Sequence, residues 1–349
     1  MDKDTVFGGY CTCRGLNTIT RAQARRLTHL FVAFGTVQNC RINGSEIFRQ
    51  KHELERIRSF NPDLAIILST GGGGAGGHSE ATRPENLNVF VESTMDVVRD
   101  LDLDGIDCDW EFPRNAEERE QHIALIRAYK KEIDVYQTTH SRRCWLSIAA
   151  ACWDRFYAYV DIVEISKCLD FINLMTYDLR DKARQDSYTG HHTNLYDPKL
   201  YLGQGYKISV DTAVNRLIEM GIAKNKIVIG AAFYSHKFFN VPDINHGFGL
   251  KIDEMHDYGP DYTGVRLIYE KDPDFVKYWD EDAKAAYLYN GNELITYDDP
   301  RSVAYKARYV KKKGVRGIMY WEHSGDQTGT LFEAIYENLF CKLSKSEKP

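Results

Sequence analysis

Four carboxylates fall within eight residues, Asp104-Gly105-Ile106-Asp107-Cys108-Asp109-Trp110-Glu111. The run reads as a β-strand, on which side chains alternate between faces. Asp107, Asp109 and Glu111 therefore share one face, and Cys108 and Trp110 share the other. At about 6.6 Å per two residues the three acids form a ladder with Glu111 at its end. Apolar flanks place that ladder inside the fold, where three carboxylates cannot all ionise cheaply, so at least one pKa must rise. A carboxylic acid that keeps its proton into the neutral range is the group needed to protonate a leaving oxygen.

A ladder of this kind needs a scaffold that holds its far end at an open mouth. Strand-like apolar runs recur at 5–10, 29–35, 64–70, 105–111, 145–151, 171–178, 226–234 and 316–321. Helical periodicity fills the stretches near 20–27, 51–60, 84–101, 116–138, 157–167, 209–221, 299–313 and 329–343. The strands are apolar almost throughout, as when both faces of a parallel sheet are covered. Eight β-then-α units predict an α/β fold, a closed (β/α)8 TIM barrel, with the chemistry at the C-terminal strand ends. One connection breaks the rhythm. Between the seventh strand and its helix lie about 60 residues, too many for a plain loop. They predict a small α+β insertion at 235–295, set into a barrel of 1–234 and 296–349. Eight of the 22 tyrosines fall between Tyr258 and Tyr305, enough for a satellite core, for a wall that deepens a cleft, or for both.

Composition narrows the function classes. The 349 residues are 43% hydrophobic and 27% charged with a formal net charge of -5, the balance of an ordinary globular chain. Mild acidity with no basic run beyond Lys311-Lys312-Lys313 argues against nucleic acid as a partner. No apolar stretch approaches the ~18 residues of a membrane span, so no membrane partner is expected. Met1-Asp2-Lys3-Asp4 leads directly into a strand without a secretion-like segment. The compartment stays open: cytoplasmic as given, or secreted if a leader was removed. The eight cysteines show no C-x-x-C pair and read as reduced, mostly buried thiols. Eleven histidines form no ligand motif, and only His191-His192 are adjacent, so no metal and no cofactor are expected. Gly71, Gly72, Gly73, Gly74, Gly76 and Gly77 formally satisfy G-x-G-x-x-G. They follow the third strand rather than opening the fold, which favours a rim loop over a dinucleotide site.

The acidic strand matches the D-x-x-D-x-D-x-E signature of family 18 glycoside hydrolases, and the chain resembles their chitinase branch. Gly9-Tyr10, Ala33-Phe34, Ser69-Thr70-Gly71-Gly72, Met175-Thr176-Tyr177-Asp178 and Met319-Tyr320-Trp321-Glu322 are similar to the family's strand-end motifs, in the family's order. The resemblance implies hydrolysis of β-1,4-linked N-acetylglucosamine in chitin or chitooligosaccharides by substrate assistance. The sugar's acetamide oxygen attacks its own anomeric carbon and forms an oxazolinium ion. It further implies Glu111 as acid and later base, and Asp109 as acetamide partner sharing a proton with Asp107. Tyr177 would orient the acetamide. Tyr10, Phe34, Ser69, Gly71, Gly72, Met175, Asp178, Tyr234 and Trp321 would bind substrate, Trp321 as an aromatic floor. Trp153 is placed to stack a more distant sugar.

Two positions depart from the pattern. Gly73 stands where many chitinases carry an aromatic residue that stacks the leaving-side sugar. Tyr234-Ser235-His236 stands where many relatives have Tyr-Gly-Arg, and His236 has no assigned role. Thr189-Gly190-His191-His192 is also similar to the family and reads as a structured loop. The alternatives are an endo-β-N-acetylglucosaminidase acting on N-glycans, or a chitin-binding lectin-like protein, although the lectins lose the acid that Glu111 retains. A monomer is expected.

Overall fold

Strands that are apolar on both faces need cover on both, and the chain alternates them with helices that supply it. The computed structural model describes residues 5–180, 188–199, 208–251 and 256–341. Met1 to Asp4 and the tail of the predicted 329–343 helix lie outside them. The first strands are β1 Val6–Thr12, β2 His29–Gln38, β3 Arg41–Asn43 and β4 Ala65–Gly71. Next come β5 Gly105–Asp109, β6 Trp145–Ala150, β7 Phe171–Leu174 and β8 Ile227–Ala232. The remainder are β9 Tyr234–Phe238, β10 His256–Asp261, β11 Val276–Asp280, β12 Ala285–Tyr289, β13 Leu294–Tyr297 and β14 Gly317–Trp321.

Parallel pairing runs β1-β14-β8-β7-β6-β5-β4-β2, and β1 also pairs with β2, so the eight strands close into a TIM barrel. Its interior is filled by side chains that include Val6, Phe31, Ile67, Trp145, Phe171, Val228 and Met319. On the opposite strand faces, Leu68, Ile106, Cys108 and Ile148 join the larger core under the helices. Strand β3, absent from the sequence reading, folds back antiparallel on the end of β2.

The helix Pro300–Lys313 shows local sequence setting an element's limits. Asp299 caps the Ser302 amide, Pro300 opens the first turn, and Gly314 ends the helix in the left-handed region. The predicted 157–167 helix is instead two, Asp154–Tyr159 and Ile162–Ser166. Between them Val160 is extended, and Asp161 caps the second helix by accepting from Glu164.

A second sheet, antiparallel throughout, has the order β10-β9-β13-β12-β11. It begins at Tyr234 and ends at Tyr297, slightly beyond the predicted 235–295 segment. Phe238, Val241, Phe248, Tyr287, Tyr289 and Leu294 make a separate small core there. Among the described residues, no helix is long and apolar enough to cross a membrane.

Candidate active site

Strand β5 points its acids into the barrel, and its neighbours supply their partners. Asp107 is fully buried. Its Oδ2 accepts from the Tyr10 hydroxyl at 2.8 Å and the Ser69 hydroxyl at 2.9 Å. Its Oδ1 accepts from the Ser147 hydroxyl at 2.6 Å and the Asn173 amide at 3.2 Å. Burial still raises the Asp107 pKa against those four hydrogen bonds. Asp109, one step higher, is pushed well above the carboxylate range by burial, then by the charges of Glu111 and Asp107. Among the described residues one of its oxygens, Oδ1, has no hydrogen-bond partner.

Glu111 lies beyond the end of β5, which the sequence reading had extended through it. The β4–β5 ladder ends at Gly71 opposite Asp109, where Gly71 turns away with φ 104°. A Cβ on Gly71 would meet the Asp109 carbonyl at 2.3 Å, so the turn requires glycine. The Gly72 amide then donates to that same carbonyl at 2.9 Å. Burial, followed by the charge of Asp178, pushes the Glu111 pKa up to about 7, while a hydrogen bond with Asp109 works the other way.

Strand β7 also stops early, at Leu174, because the Thr176 side chain takes over its pairing with β8. The Thr176 hydroxyl donates to the Gly230 carbonyl and accepts from the Gly230 amide. The chain then presents Met175, Tyr177 and Asp178 to one cavity. Among the described residues, the Tyr177 hydroxyl finds only the Met319 thioether, 4.0 Å away. Asp178 adopts φ 52°, and its Oδ1 accepts from the Tyr234 hydroxyl and from His236 Nε2. Burial opposes ionisation of Asp178, but the His236 hydrogen bond and the nearness of both imidazoles hold its pKa well below the carboxylate range.

These groups enclose a cavity of about 400 Å³, within the range of small-molecule sites. Of the predicted residues, Tyr10, Phe34, Asp109, Glu111, Met175, Tyr177, Asp178, Tyr234 and Trp321 line it, as do Trp153 and Gly73. Trp321 forms a floor with Phe34, their rings 5.4 Å apart and 22° from parallel. Asp107 and Ser69 lie beneath, joined to each other. Gly71 and Gly72 shape the rim through their backbone. Sequence reasoning missed Asn173, Ser147, Tyr258 and Gly259, and it took His192 only as part of a structured loop. The first two are polar residues facing inward on apolar strands, a signal that was available. Tyr258 and Gly259 reach the cavity from the second sheet. A protonated carboxyl beside a second acid and a free phenol, above an aromatic floor, can protonate the leaving oxygen of an acetal and polarise a neighbouring amide.

The family model described as glycosyl hydrolases family 18 matches residues 6–326. Chitinase 1 of Aphanocladium album is 31% identical over 299 residues, covering 82% of this chain and 68% of its own length. Chitinase A1 of Niallia circulans is 27% identical over 311 residues, and the match covers 82% of this chain but only 44% of that protein. Among solved structures, a glycoside hydrolase family 18 N-acetylglucosaminidase from Paenibacillus barengoltzii superposes with a TM-score of 0.91 at 38% identity. That match covers 96% of this chain and 100% of the other.

Proposed function

The chain belongs to glycosyl hydrolases family 18, and from that premise we propose that it is a retaining glycosidase that cleaves β-1,4-linked N-acetylglucosamine oligomers by substrate assistance. The observation that carries the proposal is Glu111 at the cavity beside Asp109, where burial raises its pKa to about 7 and keeps a large share of it protonated near neutrality. In this reading Glu111 gives its proton to the glycosidic oxygen while the acetamide oxygen attacks the anomeric carbon from the other face. The oxazolinium ion that forms is then opened by water, whose proton returns to Glu111.

Asp109 accepts from the acetamide N–H, and its unpartnered Oδ1 is consistent with that task. The Tyr177 hydroxyl donates to the acetamide oxygen, and Trp321 lies under the reacting sugar. Asp107 holds the ladder from below through its four hydrogen bonds. In this reading an insertion of 235–295 in a barrel of 1–234 and 296–349 accounts for most of the second sheet, and its Tyr258 extends the wall of the cleft.

Glu111→Gln tests the mechanism. It should lower turnover of N-acetylated oligomers by at least about 10³-fold while leaving their binding in place. Normal turnover would sink the proposal. Deacetylated oligomers lack the internal nucleophile and should not be cleaved.

A second reading, release of single N-acetylglucosamine units or action on N-glycans, draws on the name of the neighbour at 38% identity. The open position at Gly73 favours it too, since no ring stands there to grip a leaving-side sugar. The products of an N-acetylglucosamine hexamer separate the readings. Dimers and trimers fit a chitinase, and monomers released from one end fit the second reading.

A further inference from the structure

Asp178 has two faces, and the one turned from the cavity meets a pair of histidines that the sequence keeps apart. His236 comes from β9 and His192 from the segment after β7. His236 Nε2 lies 2.7 Å from Asp178 Oδ1, and His192 Nδ1 lies 3.9 Å from the same oxygen. The two imidazoles face each other with centroids 4.4 Å apart and planes 18° from parallel. All three donor atoms lie within 4.8 Å of one another.

Both histidines are buried, His192 at 0% and His236 at 1% exposure, and among the described residues neither ring nitrogen of His192 has a hydrogen-bond partner. Leaving a buried donor or acceptor unsatisfied costs about 1–3 kcal/mol. A native fold that bears such a cost invites a ligand for those nitrogens.

The donor set identifies the class of ligand. Two imidazole nitrogens and one carboxylate oxygen make up a three-ligand set of the kind that binds zinc. Metal bonds of about 2.0–2.1 Å in tetrahedral geometry place donors roughly 3.3 Å apart. The observed 2.7 and 3.9 Å bracket that separation, so small rotations about the side-chain bonds suffice. The Tyr234 hydroxyl, donating to Asp178, would orient the carboxylate from outside the coordination sphere. Glu111 and Asp109 add acidic groups on the same cavity wall. Tyr258, 64% exposed, presents its ring edge-on to His236 at 5.0 Å and marks the solvent side.

We propose that Asp178, His192 and His236 bind one divalent ion of the zinc class behind the cavity wall, on the side of Asp178 that meets the two imidazoles. It departs from the expectation of no metal, which rested on adjacent or motif-spaced ligands. The consequence for hydrolysis rests on Asp178 contacting the sugar: an occupied site withdraws that carboxylate, so metal and substrate compete.

The test uses the full chain freed of metal by chelator and titrated with Co²⁺ as the probe, then back-titrated with Zn²⁺. One equivalent of Co²⁺ should produce a visible absorption band that Zn²⁺ abolishes. His192→Phe and His236→Phe, which keep a ring in each place, should each weaken Co²⁺ binding at least 100-fold. Circular dichroism reports whether they remain folded. No saturable one-to-one binding by the wild type, or undiminished binding by both folded variants, overturns the site. Should the variants not fold, the wild type decides through its histidine ring protons, because absence of Co²⁺-shifted signals from two histidines also overturns it. Zn²⁺ should raise KM for N-acetylated oligomers. Stoichiometric binding with KM unchanged would uphold the site and remove Asp178 from the sugar contacts.

Discussion

In the proposed mechanism Glu111 carries the chemistry of the cleft in one proton. Its pKa of about 7 comes mainly from burial, so the protonated acid is abundant at neutral pH and scarce above it. For chelator-treated protein, kcat/KM on an N-acetylated oligomer should fall about tenfold per pH unit above pH 7. A profile flat to pH 9 would show that another group supplies the proton. The same shift bears on stability. The folded-state pKa lies above the unfolded value of about 4.3, so the folded protein holds the proton more tightly. That contribution is fully present below pH 4 and is lost as pH rises through 7. The charged form then costs the fold as much as about 4 kcal/mol. Glu111→Gln should therefore melt above the wild type at pH 8 and level with it at pH 4. Equal midpoints by calorimetry at both values would contradict the burial of this carboxyl.

Elements place these residues through a few close backbone approaches. Gly230 on β8 lies under Tyr177: a Cβ there would sit 2.8 Å from the Tyr177 ring and 2.9 Å from the Leu174 carbonyl. Gly230→Ala should tilt the phenol from its place, lowering kcat at least tenfold while the melting temperature falls only a few degrees, a cost of about 1–3 kcal/mol. An unchanged kcat would mean that the Tyr177 position does not matter. This dependence on packing also explains what the sequence made legible. The acidic ladder lies within a single strand, so its alternation could be read directly, and the eight apolar runs specified the barrel. By contrast, the partners of Asp107 come from β1, β4, β6 and β7, and the histidines behind Asp178 come from two further segments. Those meetings are set by barrel closure and by the pairing of β9 with β10 and β13, which no local pattern records. Strand ends were misjudged for a related reason. The turn of Gly71 left β5 without a partner beyond Asp109, and at Thr176 a side chain replaced the β7 ladder, whereas the alternation that marks a strand continued past both ends.

The cavity belongs to neither sheet alone. The barrel supplies the acids and the aromatic floor, and the second sheet supplies Tyr258, whose 64% exposure leaves most of its ring available to a ligand. Sugar faces are apolar with hydroxyl edges, and a tyrosine offers an apolar body with a polar tip. Tyr258→Ala should therefore raise KM for a hexamer several-fold, the equivalent of about 0.5–1.5 kcal/mol, with a smaller effect on a dimer and little change in melting temperature. The rim at Gly73 offers the complementary change. A Cβ there would meet the Glu111 carboxyl oxygens at 3.7 and 3.9 Å, ordinary contact distances, so a larger side chain can leave Glu111 in place. Gly73→Trp should lower KM for the hexamer and lengthen the products, because a leaving-side sugar gains a ring to stack on. If Tyr258→Ala affects dimer and hexamer equally, the second sheet is not a wall for bound chains, and its tyrosines serve only their own core.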